Sequence, residues 1–212
     1  MLLAHPFVLL LDRHRRKTQH LIAKIWASLI VTPFFKIEFE GLDNLPPSNT
    51  PAVYVSSHQS FLDTYTLLTS CFKFISKTSI FLFPIIGWAM LMIGVISPKQ
   101  MDSKSQLDCC KRCMDLIKKG ASVYVFPEGT SSKDGKLGAF KKGAFCLAAK
   151  TGVSVIPLTL IDTGKIMPAG IECILNLGSV TVVIHKLIRG SDPQTLCDEA
   201  RRKIALALNF QC

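Results

Sequence analysis

The sequence predicts an α/β fold: a single domain with a mostly parallel central sheet flanked by helices, plus an N-terminal helical membrane anchor. Three observations predict it. Strand-like apolar runs alternate with helical patterns along residues 36–212, the alternation that builds parallel sheets. A length of 212 residues suits one domain, or a domain with a short appendage, and suffices for a substantial core. Residues 1–35 differ in kind, with apolar stretches set around a basic run.

That first segment holds two apolar stretches, 2–11 and 21–35, around "DRHRRK". Each is too short or too interrupted for a span of about 20 residues, so an interfacial hairpin or amphipathic anchor is expected, its arginines facing anionic head groups. The competing reading is a core-packing helix with a solvated charged loop. "MLLAHPFVLLL" has no basic residue before its apolar run and no small-residue cleavage site after it. A cleavable targeting segment is therefore not expected, and the chain reads as a mature or truncated form.

Strands are expected at 36–41, 52–56, 72–76, 122–126, 153–160 and 180–185, and helices at 60–69, 103–119, 140–150 and 193–208. "NLPPSNTP" reads as a loop inside the domain, and no internal repeat or low-complexity tract is present. Residues 79–97 carry no charge over 19 positions, long enough for a membrane span. Pro84, Gly87 and Gly94 punctuate the run, which favours an apolar membrane-facing wall or acyl groove over a span.

"VSSHQSFLDTYTLL", residues 55–68, carries the first chemical signal, His58 and Asp63 five positions apart. Locally, Ser60 and Asp63 make a helix-starting pair in which the serine caps a free amide and the acid reaches back. On a continuous helix the two side chains would stand roughly 140° apart, so they meet only if His58 precedes the helix. The strand-like "PAVYVS" before it puts His58 on the turn at a strand's carboxyl end, where open α/β sheets keep their chemistry. There a histidine can act as base while the acid holds its tautomer.

"YVFPEGTSSKDGKLGAFKKGAF", residues 124–145, carries the second: a strand end followed by a loop rich in glycine and lysine, a pattern that makes anion-binding concavities. A nucleotide loop fails on spacing, with Leu137 where Ser or Thr must hold magnesium. A serine hydrolase built on Ser60 lacks the Gly-x-Ser-x-Gly elbow. An exposed turn with a solvated basic face remains the plain alternative.

Composition narrows the partners. Apolar residues are 49% of the chain and charged ones 19%, and the net charge of +10 asks for an anionic partner. Hydrophobicity favours a membrane surface, and no nucleic-acid reading element accompanies the charge. The eight cysteines lack framework spacing and read as reduced. "CKRC" at 110–113 has no second pair for zinc and sits in a helical stretch, so no metal site is expected.

"HQSFLD", then "FPEGT" about sixty-five residues later, with "GVISPKQ" between and "VIPLTL" beyond, stand in the order and spacing of the four blocks of the glycerolipid acyltransferases. With "KFISKTSIFLFPIIGWAM" and "SKDGKLGAFKKGAF", the chain most specifically resembles the 1-acyl-glycerol-3-phosphate (lysophosphatidate) acyltransferases of the plant plastid type, from about His5 to Lys203. The resemblance implies an acyltransferase domain at 36–212. The implied reaction moves a fatty acyl group from a thioester of acyl carrier protein or coenzyme A to the free hydroxyl of 1-acyl-glycerol-3-phosphate, giving phosphatidic acid. It implies no cofactor beyond that thioester co-substrate, and no metal. Implied partners are membrane lipid, lysophosphatidic acid and the acyl carrier; the implied place is the plastid envelope, with the endoplasmic reticulum as alternative. His58 would be the general base and Asp63 its orienting acid. Glu128, Gly129 and Thr130 would shape the acceptor site, Pro157 would mark the acyl-donor side, and Ile80, Phe83 and Trp88 would line the acyl path.

Three positions depart from that pattern. Gln100, after Lys99, and Ser131 stand where arginines for the acceptor phosphate are expected, and Ser57 stands where asparagine is usual. Lys99 and Lys133 can replace the arginines only in part, because lysine is a point charge without the bidentate fork. Each lost charge-assisted bond weakens binding by about 1.5 to 3 kcal/mol, so two amount to a factor of roughly a hundred to ten thousand. Three readings stay open: the lysophosphatidate reaction with lysines in place of arginines, acyl transfer to a different lysolipid, and a catalytically weak membrane-binding relative.

Overall fold

The computed structural model describes residues 34–47, 50–68, 73–74, 103–132, 136–171 and 174–209, together with Ile25. Of the expected membrane segment at 1–35, residues 1–24 and 26–33 lie outside them, as does the apolar run at 79–97, and Phe35 belongs to a strand. Ile80, Phe83, Trp88, Lys99, Gln100 and Lys133 lie outside them too. Among the described residues, no helix is long and apolar enough to cross a membrane.

Among the described residues, six strands form one sheet in the order β1-β6-β5-β2-β4-β3: β1 (Phe35–Glu40), β2 (Ala52–Ser56), β3 (Lys73–Phe74), β4 (Val123–Val125), β5 (Ser154–Ile161) and β6 (Gly178–Ile184). All six fall where the strand-like apolar runs predict them. Four contacts are parallel; β5 and β6 alone pair antiparallel, through Leu158 with Ile184 and Ile161 with Thr181. The sheet is therefore mostly parallel, with β1 and β6 running against the other four strands.

Side-chain alternation divides the core between the two faces. Val53, Val55, Val123 and Val155 point one way, onto α2 (Ser103–Lys118), α3 (Gly143–Thr151) and α5 (Pro193–Asn209), through Cys113, Ile117, Phe145, Leu147, Leu196 and Ala200. Their neighbours Ala52, Tyr54, Tyr124 and Ile156 point the other way, with Leu62 of α1 (Leu62–Leu68) and Ile166 of α4 (Thr163–Ile166). Both faces of β2 and β5 are buried, which explains their unbroken apolar runs.

Two elements escaped the sequence reading: α4, four residues long, and a 3-10 turn at Leu42–Asn44. The second follows Gly41, whose positive φ of 73° lets the chain pass against the Ile184 carbonyl, which also accepts the Asn44 side-chain amide at 2.8 Å. Helix α3 starts at Gly143 rather than 140, because the Lys141 amide hydrogen-bonds the Pro127 carbonyl instead of starting a helix.

Candidate active site

His58 lies two residues past the end of β2 and four before α1, on the turn that the sequence predicts. β2 sits inside the sheet between β5 and β4, so this turn opens at the carboxyl edge of three parallel strands.

His58 Nδ1 and Asp63 Oδ2 stand 2.8 Å apart, the ring 19% exposed and the acid fully buried. The same oxygen accepts the backbone N–H of Gln59 at 2.7 Å and of Ser60 at 2.9 Å. The capping role and the histidine-orienting role are thus one arrangement: the acid that closes the helix start is the acid that faces the ring. Three donors around one oxygen offset the desolvation of a buried carboxylate. Since Asp63 only accepts, Nδ1 carries the proton and Nε2 keeps its lone pair. Phe126 stacks on the imidazole, centroids 4.1 Å apart and planes 23° from parallel, and fixes the ring from its face.

Ser60 is spent on structure. Its hydroxyl donates to the Met167 carbonyl at 2.7 Å and accepts the Leu62 amide at 3.2 Å. That removes it as the nucleophile of a serine hydrolase. Ser57, where asparagine is usual, is buried and accepts the Leu160 amide at 3.2 Å, tying the turn to β5.

The second constellation meets the first at the backbone of His58. Glu128 Oε1 accepts the His58 N–H at 2.9 Å, Glu128 Oε2 accepts the Gly138 N–H at 2.8 Å, and the Ser132 N–H donates to the His58 carbonyl at 2.8 Å. Burial pushes the Glu128 carboxyl above its ordinary range, and the two amides oppose that rise. Gly129 turns the loop at φ 76°, and Lys141 Nζ lies 2.8 Å from the place a Cβ on Gly129 would take. Thr130 is exposed and Ser131 half-buried beside them. Pro157 is buried in β5, opposite Val55.

The structure thus gathers His58, Asp63, Glu128, Gly129, Thr130 and Ser131 around one turn. Sequence reasoning missed Phe126, Ser132, Gly138 and Lys141 there. Phe126 reads as one more strand residue, and the other three act through backbone groups or close approach, which no side-chain pattern reveals. Among the described residues, no three His, Cys, Asp or Glu side chains cluster to hold a metal ion. A base with a fixed tautomer, at the end of a strand and beside a turned glycine loop, can take a proton from a bound hydroxyl.

Known proteins resemble this chain over nearly its whole length. The chain is 65% identical over 212 residues to a chloroplastic 1-acyl-sn-glycerol-3-phosphate acyltransferase of Arabidopsis thaliana, covering 99% of this chain and 60% of that protein. A chloroplastic namesake from Brassica napus is 64% identical over 99% of this chain and 62% of its own. The chain thus spans less than two thirds of either relative. The crystal structure of a 1-acyl-sn-glycerophosphate acyltransferase from Thermotoga maritima superposes with a TM-score of 0.81 at 24% identity, over 98% of this chain and 86% of that one, and shares its fold. The profile of the Acyltransferase family matches residues 36–161, which run from β1 to the end of β5 and include both constellations. On that match the chain belongs to the Acyltransferase family.

Proposed function

We propose that the protein transfers a fatty acyl group from an acyl thioester, of acyl carrier protein or coenzyme A, to the free hydroxyl of 1-acyl-glycerol-3-phosphate, giving phosphatidic acid. The observation that carries this reading is the His58–Asp63 contact at 2.8 Å on the turn after β2, which holds the proton on Nδ1 and leaves the lone pair on Nε2. The two chloroplastic relatives carry the acceptor's name and support a plastid location for this chain.

In the reaction, His58 Nε2 takes the proton of the acceptor hydroxyl as its oxygen attacks the thioester carbonyl carbon. Asp63 holds the ring and stabilises the imidazolium that forms. The tetrahedral adduct collapses with loss of the thiolate, which takes the proton back from His58 and leaves as the thiol. The thioester is already activated, so neither an acyl-enzyme nor a metal is required. Glu128 serves as a brace: with both oxygens on backbone amides, it sets the height of His58 against the glycine loop. Gly129, Thr130 and Ser131 border the acceptor, and Lys141, beside Gly129, adds positive charge where an arginine is missing.

The test is acyl transfer by purified, detergent-solubilised protein from both thioester classes, to lysophosphatidate and to lysophosphatidylcholine, with His58→Ala as control. Turnover of lysophosphatidate that falls by about 10²–10⁴ in the variant is expected. His58-dependent turnover of lysophosphatidylcholine alone would move the acceptor to another lysolipid. Turnover unchanged in His58→Ala would end the role of His58 as general base, and turnover of neither lysolipid by the wild type would end the acyl-transfer reading.

A further inference from the structure

The reversal of β1 and β6 puts a second feature on the His58 edge of the sheet. Ser56, at the end of β2, is level with Leu158, and β5 runs on to Ile161 opposite Thr181, so Gly178, at the start of β6, lies at the same edge. Phe35 pairs with Gly178, which brings the start of β1 there too. At this corner stand four large apolar side chains in water: Phe34 at 44% exposure, Ile171 at 50%, Ile174 at 44% and Leu177 at 80%. Scattered exposed apolar residues are ordinary, but here four of them rim one corner of one edge.

The loop that carries Leu177 is tied to the core at Asn176. Asn176 donates its backbone N–H to the Ile166 carbonyl at 2.8 Å and its side-chain amide to the Lys165 carbonyl at 2.9 Å, while Leu175 and Met167 pack into the core. Ser60 then ties the base of this loop, through the Met167 carbonyl, to the turn that carries His58. Among the described residues, the nearby lysines are paired, Lys165 with Asp162 at 2.7 Å and Lys36 with Glu38 at 2.9 Å, and what they leave exposed there is apolar surface.

We infer that Phe34, Ile171, Ile174 and Leu177 form a bilayer-docking rim that dips below the head groups and sets His58 at a fixed height over the membrane. The choice of a bilayer as occupant rests on the acyl-transfer reading above, whose acceptor and product are membrane lipids. Chain connectivity supports it independently: the apolar and basic segment at 1–33 joins the described chain at Phe34, within this rim.

The full chain is tested with Leu177→Trp in a Trp26→Phe, Trp88→Phe background, on phosphatidylcholine vesicles with a minority of phosphatidylglycerol and on the same vesicles with brominated acyl chains. The expected result is a blue shift of Trp emission on binding and quenching by the bromines, at low and high salt alike. Emission unchanged by vesicles that carry the protein overturns the inference. Emission already blue without vesicles also overturns it, since the chain or a second copy would then cover the rim. Neither result depends on catalysis. Separately, Ile174→Asp with Leu177→Asp should lower turnover of vesicle-held lysophosphatidate about tenfold or more while leaving turnover in detergent micelles unchanged. An equal fall in both would place the effect in folding or chemistry and defeat the docking role.

Discussion

Glu128 Oε1 accepts the backbone N–H of His58 at 2.9 Å, across seventy positions of sequence, while its other oxygen accepts Gly138 N–H at 2.8 Å. One side chain thereby joins the two loops that build the site. A carboxylate can take both amides; an amide side chain must turn its NH₂ group toward one of them. Glu128→Gln is expected to lose about 1–3 kcal/mol of stability and Glu128→Ala about twice that. In both, kcat should fall more than acceptor KM rises, because His58 shifts. Thermal unfolding run beside steady-state kinetics checks this, and a Glu128→Ala protein with wild-type melting and turnover would refute the brace.

Asp63 uses one oxygen for three donors, and its other oxygen, buried, has no hydrogen-bond partner among the described residues. Asparagine can therefore put its carbonyl in the occupied place and its NH₂ in the idle one. Asp63→Asn is expected to fold, with a loss of about 1–3 kcal/mol, yet to lose about 10²–10⁴ in turnover because the imidazolium loses its counter-charge. Asp63→Ala should lose both stability and turnover. If Asp63→Asn kept turnover within about threefold, the carboxylate would be a helix cap and nothing more.

The parts of this site that were legible in sequence are those whose signal is local. The His58–Asp63 contact follows from a strand end, a capping serine and an acid three residues later. The strands follow from the short apolar runs that a sheet covered on both faces requires. The rest depends on distant partners. The antiparallel pairing of β6 has no local signal in its apolar run, and Glu128 reads as a loop acid until the fold brings it to the His58 amide. Helix α3 begins late for the same reason, since a tertiary bond to Pro127 outcompetes helical propensity at Lys141.

Ser131 stands next to Ser132, whose amide donates to the His58 carbonyl at 2.8 Å, so a longer side chain at 131 starts from within the site. Ser131→Arg would restore the guanidinium fork that the family resemblance implies for a phosphate. Acceptor KM for lysophosphatidate is expected to fall about tenfold or more, one charge-assisted contact, with kcat little changed. Lys141→Met should act in the opposite direction. A Ser131→Arg variant whose preference for lysophosphatidate over lysophosphatidylcholine is unaltered would show that this position does not face the acceptor phosphate.

His185 gives the fold a titratable element away from the site. Its Nε2 lies 2.8 Å from Thr159 Oγ1 in β5, its backbone N–H donates to the Pro157 carbonyl, and burial, aided by the charge of Lys203, holds the imidazole below its ordinary 6.5. The unfolded chain takes up this proton near the ordinary value, whereas the folded chain does so only at lower pH. Between those two values the unfolded state binds more protons, so the stability that neutral His185 contributes is complete above 6.5 and is lost as pH falls through the lowered folded value. His185→Gln keeps a partner for Thr159 but cannot titrate. The variant is expected to lose less melting temperature than the wild type between about pH 7.5 and about pH 5.5, while other acid-labile groups contribute equally to both. Lys203→Met, which removes the nearby charge, should fall between them. If wild type and His185→Gln lost the same amount, His185 would not be the source of acid sensitivity on this side of the sheet.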